Sequence, residues 1–263
     1  DDFEGAIVKL GANITIESGQ TLAMIGNATN YFKGTFDGNG YAIINANFIS
    51  DSTGRVGLFG YIPETSTIEN LIFSGDTSIT IPNTVGGDVY ASLVCAINDG
   101  TITNCANGSI VKITNNSSTA NVIFGAIVGK NNADKTVSGC YNMQLIKANN
   151  ESMNISGIIG KNLGTASCCY NTGMLQGYID SAVSDYKCHT VMAGISAINV
   201  GTVTCCYNAA ALKNFDESNY NPIANGGTIE KSYMDGEIFK SGYSYVSSYN
   251  GNIYSAGVTI KST

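Results

Sequence analysis

One short segment recurs six times without gaps, and that recurrence constrains the fold more than any other feature. The copies are Val56-Gly57-Leu58-Phe59-Gly60, Ala91-Ser92-Leu93-Val94-Cys95, Gly125-Ala126-Ile127-Val128-Gly129, Ser156-Gly157-Ile158-Ile159-Gly160, Ala193-Gly194-Ile195-Ser196-Ala197 and Asn221-Pro222-Ile223-Ala224-Asn225. Their centres are always Leu or Ile and lie 35, 34, 31, 37 and 28 residues apart. A second series runs in phase with the first: Thr103-Asn104-Cys105-Ala106-Asn107, Ser138-Gly139-Cys140-Tyr141-Asn142, Cys168-Cys169-Tyr170-Asn171, Cys205-Cys206-Tyr207-Asn208, Lys231-Ser232-Tyr233-Met234 and a shortened Ser248-Tyr249-Asn250. Turn residues such as Asn98-Asp99-Gly100 and Asn199-Val200-Gly201 separate the two series. Each repeat therefore reads as strand, Gly/Asn turn, strand, then a loop of variable length. A unit this small cannot bury its own apolar face, whereas stacked copies can.

The expected architecture is all-β, a parallel β-helix of about six to eight rungs. Residues 1–263 read as a single β-helix domain. In it 1–50 form an N-terminal cap and first rung, 51–240 the repeats, and 241–263 a Tyr-rich C-terminal cap. Within the cap, Phe32 to Phe48 reads as strand, tight turn, strand, with Asp37-Gly38-Asn39-Gly40 as the turn. In-register stacking would place equivalent residues about 4.8 Å apart, making one inner ladder of Leu58, Leu93, Ile127, Ile158, Ile195 and Ile223. The neighbouring glycines would permit sharp bends.

Composition narrows the function classes. The chain has 263 residues, of which 13% are charged, and a net charge of −7. Arg55 is the single arginine and His189 the single histidine. That balance leaves no basic patch for a nucleic-acid backbone. No apolar run approaches ~18 residues, so no membrane insertion is expected. The opening Asp1-Asp2-Phe3-Glu4 does not read as a signal peptide.

Phe32-Lys33-Gly34-Thr35-Phe36-Asp37-Gly38-Asn39-Gly40-Tyr41-Ala42-Ile43, followed by Val56 to Ile62, resembles the signature of GLUG-repeat proteins. The later Cys-Tyr-Asn units are similar to the same family, Thr165 to Gly173 most closely. The resemblance covers roughly residues 1–255. It implies a right-handed β-helix from a bacterial secreted or cell-surface protein, as part of a larger adhesin-like chain, with no shared catalytic residues. The segment Asn221 to Asn225 departs from the pattern by lacking glycines, and Met234 replaces the usual Asn.

Cys105, Cys140, Cys169 and Cys206 share one repeat position, continued by Ser232 and Ser248. They read as a stacked ladder of buried thiols acting as small hydrophobes. Strand neighbours point to opposite faces, so Cys168 and Cys205 would face away from that ladder and stack on each other. Their expected spacing lies inside the ~4.4–6.8 Å Cα window of a disulfide, a possible bridge. Cys95 and Cys188 have no evident partner, and the spacings do not suit zinc.

Little else points to chemistry. The adjacent Cys188-His189 lacks a third orienting group. Asp76, Asp88, Asp99, Asp134, Asp180, Asp185, Asp216 and Asp235 fall mostly in loops and none recurs in phase. Asp37-x-Asn39-x-Tyr41 opens like a calcium loop but reads as a tight turn. No catalytic residue, metal or cofactor is therefore expected. Tyr141, Tyr170 and Tyr207 recur in phase opposite the Cys ladder. If the cysteines face in, these tyrosines, with Tyr233 and Tyr249, form an exposed aromatic stripe for ligand binding; if the cysteines face out, the tyrosines are core. The leading functional reading is a non-catalytic, extracellular or cell-surface adhesion module whose partner is a host or matrix glycan or protein. The alternatives are a carbohydrate-active β-helix enzyme, which would need paired carboxylates on adjacent rungs, or a passive spacer in a larger surface protein.

Overall fold

The computed structural model describes residues 2–26, 29–149, 153–178, 191–214, 220–221, 223–234, 237–240 and 259–262. All strand pairing among them is parallel, and the chain winds into an all-β parallel solenoid. Each full turn visits four faces. In one turn the chain passes through Gly87–Ala91 on the first face, Cys95–Asn98 on the second, Thr101–Thr103 on the third and Ala106–Asn115 on the fourth. The third face stacks eight strands, the first six and the second four.

About five turns carry all four faces; the layers at the N-terminal end are partial. The expected count of six to eight rungs matches the third face alone. Of the expected C-terminal cap, only Thr259–Ser262 is described, and it adds one more parallel strand beside Glu237–Lys240.

The inner ladder forms as its periodicity requires. Leu93, Ile127, Ile158 and Ile195 are fully buried, and Leu58 and Ile223 nearly so. Phe32, Phe36 and Phe59 fill the N-terminal end, with ring centroids 5.3–6.3 Å apart. Such contacts supply the area that a single rung lacks.

Three local readings change. The stretch Phe32 to Phe48 is not a hairpin: Thr35–Asp37 pairs with Thr67–Glu69, and Ala42–Ile44 pairs with Ile72–Ile81. The turn is a corner between two faces, because its strands bond to the next rung and not to each other. The loops of variable length carry strands too; Ile146–Asn149 and Met153–Ser156 extend the fourth and first faces. The repeat glycines are needed for closeness more than for bending. A Cβ on Gly125 would lie 2.3 Å from the Gly160 nitrogen and 2.3 Å from the Val128 oxygen.

Two ladders of buried asparagines run along the axis and were not anticipated. Asn98 Nδ2 donates to Asn131 Oδ1 at 2.8 Å, Asn131 to Asn162 at 2.9 Å, and Asn162 to Asn199 at 2.8 Å. In the second ladder Asn107 donates to Asn142 at 2.7 Å, Asn142 to Asn171 at 2.7 Å, and Asn171 to Asn208 at 2.9 Å. A carboxamide both donates and accepts, so a stack of them satisfies itself, whereas a column of carboxylates, which only accept, would leave groups unpaired. Consecutive ladder residues lie about 30 positions apart in the chain, so each bond joins one rung to the next.

Candidate functional site

The corner between the third and fourth faces decides which side chains point outward. Asn70, Asn104, Gly139, Cys168, Cys205 and Lys231 occupy this corner on successive rungs, each with a φ between 47° and 62°. The left-handed turn reverses the chain just before the repeat cysteine. Cys105, Cys140, Cys169 and Cys206 consequently face inward and are buried, as is Ser232. Each thiol donates to the carbonyl two residues before it, for example Cys140 Sγ to Ser138 O at 3.3 Å. Burial pushes the Cys95 and Cys140 thiols well up, so both stay protonated.

With the cysteines inward, the following tyrosines point out. Their register runs Ala42, Ile72, Ala106, Tyr141, Tyr170, Tyr207, Tyr233. Tyr170 is 36% exposed and Tyr233 47%, while Tyr141 and Tyr207 are half-buried. The rings do not lie flat on the surface. Tyr141 and Tyr170 stack with centroids 4.8 Å apart and planes 4° apart, and Tyr207 and Tyr233 with centroids 4.5 Å apart and planes 36° apart. Partial burial and the neighbouring Tyr141 raise the Tyr170 phenol above its usual value. Tyr249, Cys188 and His189 lie outside the described residues.

The ladder ends at Tyr141, because the next rung carries Ala106 in its place. An open cup of about 330 Å³ lies there, lined by Tyr141, Ile72, Asp37, Asn39, Gly40, Asn70 and Asn104. Its overhang has a simple origin. Five residues, Gly38 to Ala42, make the first corner where three, Asn70 to Ile72, make the next, since Asp37 pairs with Glu69 and Ala42 with Ile72. The extra residues Asn39 and Gly40 both have positive φ and stand proud of the wall. The individual residues were visible in the sequence, but the cup needs the unequal corners set one above the other.

Asp37 organises this end. Its Oδ1 accepts from the Asn39 backbone N–H at 2.8 Å and from Asn70 Nδ2 at 3.0 Å, and its Oδ2 pairs with Lys9 Nζ at 3.0 Å. The Asn70 hydrogen bond, with help from Lys9 and the Asn39 amide, holds the carboxyl below the usual aspartate range. A depressed folded-state pKa contributes stability above the unfolded value near 3.9 and loses it as pH falls through the folded value. Asp37→Asn should therefore flatten the decline in melting temperature between pH 5 and pH 2, measured by circular dichroism; an unchanged slope would place the acid sensitivity elsewhere.

Asp37 and Glu69 are in register on adjacent rungs, which corrects the expectation that no acids recur in phase. The pair was missed because Asp37 reads locally as a turn residue. Asp37 is nevertheless held ionised by three partners, the reverse of the raised pKa that a general acid needs. Two other acids are bound by asparagine carboxamides: Asn121 donates to Asp88 and Asn132 to Asp99, each at 2.9 Å.

Cys168 and Cys205 are exposed and present as free thiols. Their outward direction comes from the left-handed corner and not from strand alternation.

No family model matches the chain, and no curated protein does. Solved structures share its architecture. A candidate immunoglobulin A1 protease from Bacteroides ovatus superposes with a TM-score of 0.64 at 17% identity, over 99% of this chain and 78% of that one. A chain named IgA1 protease superposes with a TM-score of 0.57 at 13% identity, over 96% of this chain. The match spans 20% of that second chain, so this chain corresponds to about a fifth of it. At these identities the likeness concerns the β-solenoid fold.

Proposed function

We propose that this chain is a non-catalytic binding module of a secreted or cell-surface protein, and that its cup takes one sugar ring of a host or matrix glycan. The observation that carries this reading is the unstacked end of the tyrosine ladder. One side of Tyr141 is covered by Tyr170, and the other is turned toward the Ala106 rung, where the cup lies. A pyranose bound there would continue the stack where a tyrosine is missing, with its C–H face on the ring. Its hydroxyls would meet the carboxamides of Asn39, Asn70 and Asn104, which can donate and accept. A volume of about 330 Å³ suits a single ring at the end of a chain. The tyrosines beyond Tyr141 brace the platform edge-outward and do not themselves offer a flat surface.

The fold shared with chains named as IgA1 proteases supports an extracellular setting within a longer protein, as does the GLUG-like repeat pattern. A shared solenoid brings no catalytic group with it.

The test is a glycan array with the purified domain, followed by titration of each hit and an assay for product. Tyr141→Ala should weaken binding about tenfold, the loss of one stacking contact of roughly 1.4 kcal/mol. Ala106→Tyr should abolish binding by filling the cup. Binding that survives both variants would overturn the cup as the site. Product formation would overturn the non-catalytic reading, and a blank array would leave a protein ligand or a spacer role.

A further inference from the structure

The corner column poses a problem that the rest of the fold does not explain. Left-handed backbone disfavours residues that carry a Cβ, and Asn and Gly are the usual occupants. Asn70, Asn104 and Gly139 obey that preference on three successive rungs. The next two rungs place cysteines there, Cys168 with φ 52° and Cys205 with φ 53°. A thiol gains nothing by burial at these positions, because both residues are exposed. The following rung places Lys231 there with φ 47°, so backbone preference alone does not single out the cysteines; what sets them apart is that two exposed thiols stand in register on consecutive rungs.

We propose that Cys168 and Cys205 form a disulfide that staples two rungs on the outer wall of the solenoid. Their register is set on the adjoining strand, where Ser167 pairs with Thr204. The Cys168 amide also donates to the Thr204 carbonyl at 3.1 Å. The two corners have the same φ to within a degree, and the two sulfurs take equivalent local contacts. Ser167 Oγ lies 3.7 Å from Cys168 Sγ, and Thr204 Oγ1 lies 3.8 Å from Cys205 Sγ. Equivalent backbone on adjacent rungs puts the two Cα atoms about 4.8 Å apart with parallel Cβ directions. That spacing satisfies the ~4.4–6.8 Å Cα requirement, and a few tenths of an ångström of closure brings the Cβ atoms into the ~3.5–4.5 Å range. Formation is thiol–disulfide exchange with a small-molecule disulfide such as oxidised glutathione. A thiolate of one cysteine attacks the oxidant, releasing one glutathione thiol and leaving a mixed disulfide. The second cysteine then displaces the other glutathione thiol, so one protein S–S bond forms, the oxidant's S–S bond is broken and both protons leave with the products. The closed segment runs from 168 to 205, a spacing of 37 residues that equals the longest step between repeats. Cross-linking a long segment constrains the unfolded chain most.

The test uses the full chain in a Cys188→Ala background, which removes a competing thiol from the same segment. The protein is equilibrated with oxidised glutathione, alkylated without denaturant, digested and mapped by mass spectrometry. Because Cys168 and Cys169 share a tryptic peptide, as do Cys205 and Cys206, the assignment rests on C168S and C205S. The expected result is one linked peptide pair, lost in either variant. The melting temperature should rise by several degrees on oxidation, and this rise should be absent in both variants. Separate mixed disulfides of glutathione on Cys168 and Cys205, or a linkage that survives C168S or C205S, would overturn the proposal.

Discussion

Replacing Asn142 with Ala is expected to lower stability by about 2–6 kcal/mol, because it strands a buried group on each side at roughly 1–3 kcal/mol apiece. Asn107 Nδ2 would lose its acceptor at 2.7 Å, and Asn171 Oδ1 its donor at 2.7 Å. Both residues are fully buried, so water cannot replace the missing partner without opening the rung. Solenoid stability is a sum of rung and nearest-neighbour interface terms, so the loss should concentrate where Asn142 bridges its two neighbours. Urea titration would give the magnitude, and hydrogen exchange at Tyr141 and Tyr170 would locate it. A midpoint shift worth less than about 0.5 kcal/mol would show that the ladder adds little to the fold. Asn142→Asp should be worse than Ala at neutral pH, since it buries a charge that cannot donate. Burial raises the folded-state pKa of such a carboxyl above its unfolded value. The variant should therefore regain stability as pH falls through that raised value, when the carboxylic acid can again donate to Asn171.

Gly125→Ala is expected to cost about 3 kcal/mol or more, at the upper end of overpacking effects. The new Cβ would meet the Gly160 nitrogen and the Val128 oxygen at 2.3 Å and the Ile158 oxygen at 2.6 Å. All three are backbone atoms held by neighbouring rungs, so none can swing aside as a side chain could. Gly11→Ala is the matched comparison. It has nothing within 4 Å of the added carbon and no left-handed φ, and it should be neutral or stabilising by about 0.4–1 kcal/mol. Thermal melts of the two variants decide the point; equal behaviour would mean that the corner relaxes more readily than its packing implies.

The solenoid was legible in the sequence because its signal is redundant. Six aliphatic centres and four in-phase cysteines report the same spacing, and each strengthens the others. The inward direction of the cysteines was not legible, since strand alternation allows either sign. The left-handed corner at residues such as Asn104 and Cys168 settles it. The asparagine ladders were missed for a related reason. Asn98, Asn131, Asn162 and Asn199 recur as faithfully as the cysteines, but asparagine in a stretch such as Asn98-Asp99-Gly100 reads as a turn former. Their partners are other asparagines one rung away, and recurrence in phase was the signal that could have revealed them. Asp37 was likewise read from its neighbours Gly38 and Asn39, although its pairing with Glu69 comes from the next rung.

The sequence alone determined that this chain stacks short repeats into a parallel solenoid, because no single repeat has enough apolar surface to fold by itself. It also determined which residues share a column, since register follows from phase. Tertiary structure alone decided which columns face solvent, how the tyrosines lean on one another, and that a cup lies where the stack stops. Those outcomes depend on the backbone conformation of the corners and on two extra residues in one of them. Local pattern does not encode such differences, because a corner's direction is set by the rungs on either side of it.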